Sequence, residues 1–232
     1  MPENTWSAVE HVAALGLEWM ETDLRLTADG IVVLSHDEDL RRTANDPRAV
    51  GEVMWAELAD LDSGDGRGFV RLDDALYAHP TMKFNIDLKD SNVVQAALQT
   101  VRDANALERV RFASFSARRL AVLRRQEPRA VTSLGVSDVA SLMAIAELGV
   151  MMPRTRWGWS QDRSRTDCVQ VPVAYHGVPV VTERFVAASH RAGLEVHVWT
   201  IDDPAQMRSL AQMRVDAIVT DVPTLALEVL GR

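Results

Sequence analysis

The sequence predicts an α/β fold, a TIM-type (β/α)8 barrel with an extra β-hairpin arm, and three observations point there. Short apolar or β-branched runs alternate with amphipathic stretches, the rhythm of βα units around a parallel sheet. A length of 232 residues suits such a barrel as one unit. Charged side chains also recur near the C-terminal ends of the candidate strands, where barrel loops converge and sites are built.

In chain order, Asn4 or Thr5 caps a first helix with Trp6, Val9 and Ala13 on one face. The first candidate strand is 19–24. Asp29-Gly30 then supplies the φ > 0 positions of a tight turn, so 31–35 folds back as a hairpin arm. Residues 37–68 break the rhythm and predict a small insertion covering the mouth of the barrel. Further strands are expected at 83–89, 110–114, 130–135, 168–171, 195–201 and 217–220, which makes seven, one short of eight. The intervening helices have recognisable starts: Ser91 before Val94, Leu98 and Val101, Ser116 before Leu120 and Leu123, and Ser137 or Asp138 before a helix ending near Gly149. Thr182 opens another ending near Gly193, Asp203-Pro204 opens one carrying Met207 and Leu210, and the last runs over 224–230. Segment 152–167, with Arg154, Arg156, Trp157, Trp159 and Arg163, is expected on the rim in reach of substrate. With no internal repeat, low-complexity segment or linker, residues 1–232 read as a single domain.

Composition narrows the function classes. Hydrophobic content of 47% with 25% charged residues is an ordinary globular balance, and no apolar run approaches the length a bilayer requires. A formal net charge of −8 disfavours nucleic acid as a partner, since that affinity comes from clustered Lys and Arg. The densest basic group, Arg118, Arg119, Arg124 and Arg125, has helical spacing and reads as a solvated face. A single cysteine, Cys168, cannot form an internal disulfide and fits a cytoplasmic setting.

Glu21 and Asp23 lie two apart in a strand, so both carboxylates point to one face. The hairpin arm brings His36 towards them. Oxygen-rich sites of this kind suit Ca²⁺ or Mg²⁺, and a nearby histidine is the usual group for moving a proton to or from a reacting oxygen. Asp87, Lys89, Trp199 and Asp221 also fall near strand ends. Trp199 reads equally as a flat apolar wall for a substrate or as ordinary packing. Asp221 is expected to cap or orient a neighbour.

The ordered blocks Pro2-Glu3-Asn4-Thr5, Glu21-x-Asp23, Thr27-x-Asp29-Gly30, His36-Asp37 and Leu40-x-Arg42-Thr43 resemble those of the glycerophosphodiester phosphodiesterase family. The resemblance continues through 85–89, Ser114-Phe115-Ser116, 198–202 and 216–221, and so spans nearly the whole chain. It implies metal-dependent hydrolysis of a small-molecule glycerophosphodiester to glycerol 3-phosphate and an alcohol. Glu21, Asp23 and Asp87 would then be ligands of a divalent metal, Lys89 a phosphate contact and His36 a catalytic histidine. The family more often has Glu in place of Asp87, whereas the related sphingomyelinase-D-like branch has Asp-x-Lys, which keeps a phospholipid-processing activity as an alternative. The family also carries His-Arg-Gly on a first strand about ten residues before its Pro-Glu-Asn-Thr block. That strand is expected to be missing from this chain, with a misplaced start as the expected cause. A catalytically impaired barrel binding a phosphorylated ligand or partner is the alternative if the loss is genuine.

Overall fold

The computed structural model describes residues 1–148 and 165–231, and the chain folds as two compact units, Met1–Ser114 and Phe115–Arg232. In the first, helix α1 (Trp6–Ala14) is followed by strands β1 (Trp19–Leu26) and β2 (Val32–Leu34). Short helices α2 (Arg41–Ala44) and α3 (Trp55–Leu58) come next, then α4 (Leu72–Ala78), β3 (Lys83–Leu88), α5 (Val93–Asp103) and β4 (Val110–Ala113). The strand order is β2-β1-β3-β4, with β2 antiparallel to β1 and the other pairs parallel.

The hairpin arm forms, but of the Asp29-Gly30 pair only Gly30 enters the positive-φ region. Gly30 adopts φ 84°, a conformation that glycine alone enters without steric cost, and Thr27 N–H donates to Ile31 O at 2.9 Å to close the turn. The arm then continues outward into the insertion. Val33, Leu40, Val50, Val53, Leu58 and Phe69 form a cluster of buried side chains, so 37–68 is a small folded layer with its own core. Asp29 ties this layer to the turn: its Oδ1 accepts from Thr27 Oγ1 at 2.6 Å and from Trp55 N–H at 2.9 Å, and these bonds lower its pKa.

The second unit contains α6 (Ala117–Gln126), β5 (Val131–Ser133), α7 (Val136–Leu148), β6 (Arg165–Pro172), β7 (Ala174–Tyr175) and β8 (Val178–Pro179). It ends with α8 (Glu183–Arg191), β9 (Glu195–Trp199), α9 (Pro204–Gln212), β10 (Ala217–Ile218) and α10 (Pro223–Leu230). Its main sheet has the order β5-β6-β9-β10, all parallel. Val169, Val171, Val196 and Val198 share a core with Phe185, Met207 and Leu210, which packs one face of the sheet against its helices. Helix caps follow local chemistry, with Thr5, Ser116, Thr182 and Asp203 each accepting a first-turn N–H.

The seven expected strands and the hairpin arm all form, and the α/β fold is of the (β/α)8 type. Several details differ. Asp90, not Ser91, receives the N–H groups of Asn92 and Val93, both at 3.1 Å. Arg124 is buried and donates to Thr132 Oγ1 at 3.2 Å, so it leaves the solvated basic face to Arg118 and Arg125. The antiparallel pair β7–β8 is an addition that two-residue strands do not announce in sequence. Of the expected rim segment, residues 152–164 lie outside the described residues, and Arg165, Thr166 and Asp167 open β6. No helix among the described residues is long and apolar enough to cross a membrane.

Candidate active site

Strand register assembles the site. β1 and β3 run parallel with Trp19 opposite Lys83, Glu21 opposite Asn85 and Asp23 opposite Asp87. Alternation puts Trp19, Glu21 and Asp23 on one face of β1, and that face is polar. At its start Trp19 lies under two cations, with Arg111 at 4.5 Å and Lys83 at 5.4 Å from the ring centroid. At its end stand the carboxylates.

Lys89 leaves β3 on the same side as Asp87, and its ammonium meets Asp23 Oδ1 at 2.7 Å and Asp87 Oδ2 at 2.9 Å. Desolvation pulls its pKa down, but the charges of Asp87 and Asp23 outweigh that and raise it. The other oxygen of Asp23 is also engaged, accepting from Asn4 Nδ2 at 3.0 Å. Asn4 Oδ1 in turn accepts from Asp23 N–H at 3.2 Å and from Thr22 Oγ1. Asn4 is buried and has φ 57°, a region that Asn enters more readily than most residues. Sequence reasoning offered Asn4 as a helix cap, a role that falls to Thr5, and as a member of the first motif block, without assigning it a contact in the site.

Glu21 is exposed to solvent. Desolvation by the surrounding protein, followed by the like charges of Asp23 and Asp87, nevertheless holds its carboxyl well above the usual carboxylate range. Among the described residues no three His, Cys, Asp or Glu side chains are grouped as a metal cluster, and it is Lys89 that joins Asp23 to Asp87. The donor chemistry still fits a hard divalent ion. Glu21, Asp23 and Asp87 supply carboxylate oxygens on one strand-end face, and the like charges of Asp23 and Asp87 add to desolvation in raising the Glu21 pKa.

His36 stands at the exit of β2. Ser35 N–H donates to Asp23 O at 2.9 Å and fixes the arm to the end of β1, while Arg25 donates to His36 O through Nε at 3.1 Å and Nη2 at 3.0 Å. The half-exposed imidazole places Nδ1 at 2.8 Å from Asp37 Oδ1. Asp37 Oδ2 accepts from Arg42 Nε at 2.6 Å, and Arg42 Nη2 bonds Glu3. The Arg42 hydrogen bond, and then that of His36, bring the Asp37 pKa down to about 2. Asp37, Arg42 and Glu3 all lie in the motif blocks, which were the only signal of their involvement.

Trp199 ends β9 in the second unit, partly buried and edge to face with the exposed Phe115 at 5.6 Å. Next to Asp221, Asp202 Oδ1 accepts from Thr220 Oγ1 at 2.8 Å and from Asp221 N–H at 2.9 Å.

Carboxylates, an ammonium and an oriented imidazole at strand ends equip an α/β barrel scaffold for hydrolysis, and the relatives of this chain are enzymes of that class. The chain belongs to the glycerophosphoryl diester phosphodiesterase family, whose sequence pattern matches residues 1–225. A probable glycerophosphodiester phosphodiesterase 2 of Mycobacterium tuberculosis is 35% identical over 231 residues, covering 99% of this chain and 86% of that protein. Among solved structures, a putative glycerophosphoryl diester phosphodiesterase of Silicibacter pomeroyi is similar with a TM-score of 0.81 at 25% identity, covering 99% of this chain and 88% of that one. An Oleispira antarctica phosphodiesterase, solved in complex with the product sn-glycerol-3-phosphate, also gives a TM-score of 0.81, at 21% identity, covering 100% of this chain and 92% of that one. The resemblance read from the motif blocks, the fold class and the hydrolase assignment are borne out.

Proposed function

We propose that this chain, acting over residues 1–232 as one barrel domain, hydrolyses a glycerophosphodiester to glycerol 3-phosphate and an alcohol with a divalent cation, Ca²⁺ or Mg²⁺. The observation that carries this reading is the pairing of Asp23 and Asp87 through Lys89 at the ends of β1 and β3. The hydrolysis product in the Oleispira relative supports the substrate class. Glu21, Asp23 and Asp87 would hold the cation, which supplies charge stabilisation for the phosphoryl oxygens when bound. Lys89 contributes a positive charge to the same oxygens. His36 moves the proton, from the attacking hydroxyl or to the departing alcohol. Trp199 offers an apolar wall to the glycerol or headgroup. The single, buried Cys168 supports a cytoplasmic location.

The test is release of choline from sn-glycero-3-phosphocholine and related diesters by the full chain, with Mg²⁺ or Ca²⁺ and then with EDTA. Metal-dependent release that disappears in Asp23→Asn and His36→Asn is expected. No release above background across a panel of headgroups would overturn the reading.

A further inference from the structure

We propose that Asp37 and Arg42 are positioning residues for His36, forming with Glu3 a hydrogen-bonded chain that sets which imidazole nitrogen carries the proton. The proposal rests on the reading of His36 as the proton-transfer group. Its own basis is the geometry around the ring.

An ionised carboxylate has only acceptor atoms, so the 2.8 Å contact between His36 Nδ1 and Asp37 Oδ1 requires the hydrogen to sit on Nδ1. Nε2 is thereby left with the lone pair that a general base needs, or, once protonated, with the proton that a general acid gives up. The carboxylate cannot swing away freely, because Arg42 Nε holds its other oxygen at 2.6 Å. Arg42 is anchored in turn by Glu3, which lies 39 residues earlier in the chain. From the opposite side Arg25 grips the His36 carbonyl, so backbone and ring are both fixed. With its pKa near 2, Asp37 stays ionised at any working pH.

An ion-pair chain this exposed has a bland alternative. Arg42, Glu3 and the ring of His36 are all more than 40% exposed, and surface pairs of this kind contribute little to stability. The two roles therefore predict different patterns. A merely structural chain would, when broken, alter stability slightly and leave turnover alone. A positioning chain would leave stability almost unchanged and lower kcat, because proton transfer by an oriented group is worth roughly 10²–10⁴-fold.

The experiment uses the full chain with Asp37→Asn, Arg42→Met, Arg42→Lys, His36→Asn and the His36→Asn/Asp37→Asn pair. Turnover of sn-glycero-3-phosphocholine is measured alongside the ¹⁵N signature of the His36 tautomer by NMR. Asp37→Asn is expected to lower kcat about 100-fold with little change in KM, and to move the ring away from the Nδ1–H form. Arg42→Met should have a smaller effect of the same kind, partly restored in Arg42→Lys. In the His36→Asn background Asp37→Asn should cost nothing more, since the two act as one unit. An unchanged kcat or an unchanged tautomer in Asp37→Asn overturns the proposal, as does an additive loss in the double variant. Full activity in His36→Asn would instead overturn the role of the histidine, and the tautomer measurement would still report on the chain.

Discussion

Asp23 and Asp87 are register partners on adjacent parallel strands, and the ammonium of Lys89 joins them at 2.7 and 2.9 Å. Two like charges stand side by side only because one cation holds both. Lys89→Met removes it while keeping most of the side-chain volume. It should destabilise the protein by about 3 kcal/mol, the scale on which breaking a buried ion pair acts, as read by urea unfolding. The pH dependence has a defined sign. The Lys89 pKa is raised above 10.5, so the stabilisation is complete below that pH and is lost as pH rises through the folded value. Wild type should weaken on that alkaline side, and Lys89→Met should not share the decline. Equal alkaline losses in both would show that Lys89 does not bridge the pair.

Glu21 predicts the opposite sign. Desolvation and then the charges of Asp23 and Asp87 raise its pKa above 4.5, so the folded state binds more protons than the unfolded chain. Its contribution is best at low pH and turns unfavourable as pH rises from 4.5 towards the folded value. Glu21→Gln should therefore raise the melting temperature in EDTA at neutral pH while abolishing metal-dependent hydrolysis. In wild type, added Mg²⁺ or Ca²⁺ should raise the melting temperature, and in Glu21→Gln much less. A variant that melts lower than wild type in EDTA would contradict the repulsion.

Asn4 works by orienting Asp23. Its amide donates to Asp23 Oδ2 and its carbonyl accepts from Asp23 N–H and Thr22 Oγ1, all in a buried setting. Asn4→Ala leaves these groups unsatisfied and should cost about 2 kcal/mol. Asn4→Asp preserves the shape but sets an acceptor against the Asp23 carboxylate. It should be worse than Asn4→Ala at pH 7 and recover as pH falls below 4, where a carboxyl regains a proton. Thermal melts of the two variants across that range test the order.

These residues show where the sequence was legible. Alternation in β1 placed Glu21 and Asp23 on one face because strand geometry is local, and Thr5, Ser116, Thr182 and Asp203 were readable as caps because a cap bonds its own first turn. The pairing of Lys89 with Asp23 was not readable, since it depends on the register of β1 against β3. Asn4 with Asp23 and Arg42 with Glu3 join residues 19 and 39 apart, and only the tertiary fold brings them together. Arg124 was misread for the same reason: helical spacing marks a face, while the Thr132 hydroxyl that receives it lies on the following strand.

Trp199 separates packing from binding. Its edge-to-face contact with Phe115 is worth about 1 kcal/mol, so Trp199→Ala should lower stability modestly in urea. If the ring is also a substrate wall, Trp199→Ala should raise KM for sn-glycero-3-phosphocholine by about tenfold, the value of one lost apolar contact of this size, with kcat little changed. Trp199→Phe should restore most of it. An unchanged KM would leave Trp199 with packing alone.

Gly68 closes the insertion that carries Arg42. A Cβ there would meet Ala59 O at 2.2 Å, and because the obstacle is backbone, no side-chain rotation relieves it. Gly68→Ala must move the segment after α3 away from Phe69, a member of the cluster that includes Leu40 and Val50. The expected cost is about 1–3 kcal/mol, as for overpacking elsewhere. The disturbance should concentrate where the cluster is thin, so hydrogen exchange ought to quicken over 40–58 before it changes in β3 or α5. Leu40 immediately precedes α2, which holds Arg42, so loosening it should also slacken the grip on Asp37 and lower kcat. Faster exchange in the insertion with kcat unchanged would uncouple the layer from His36.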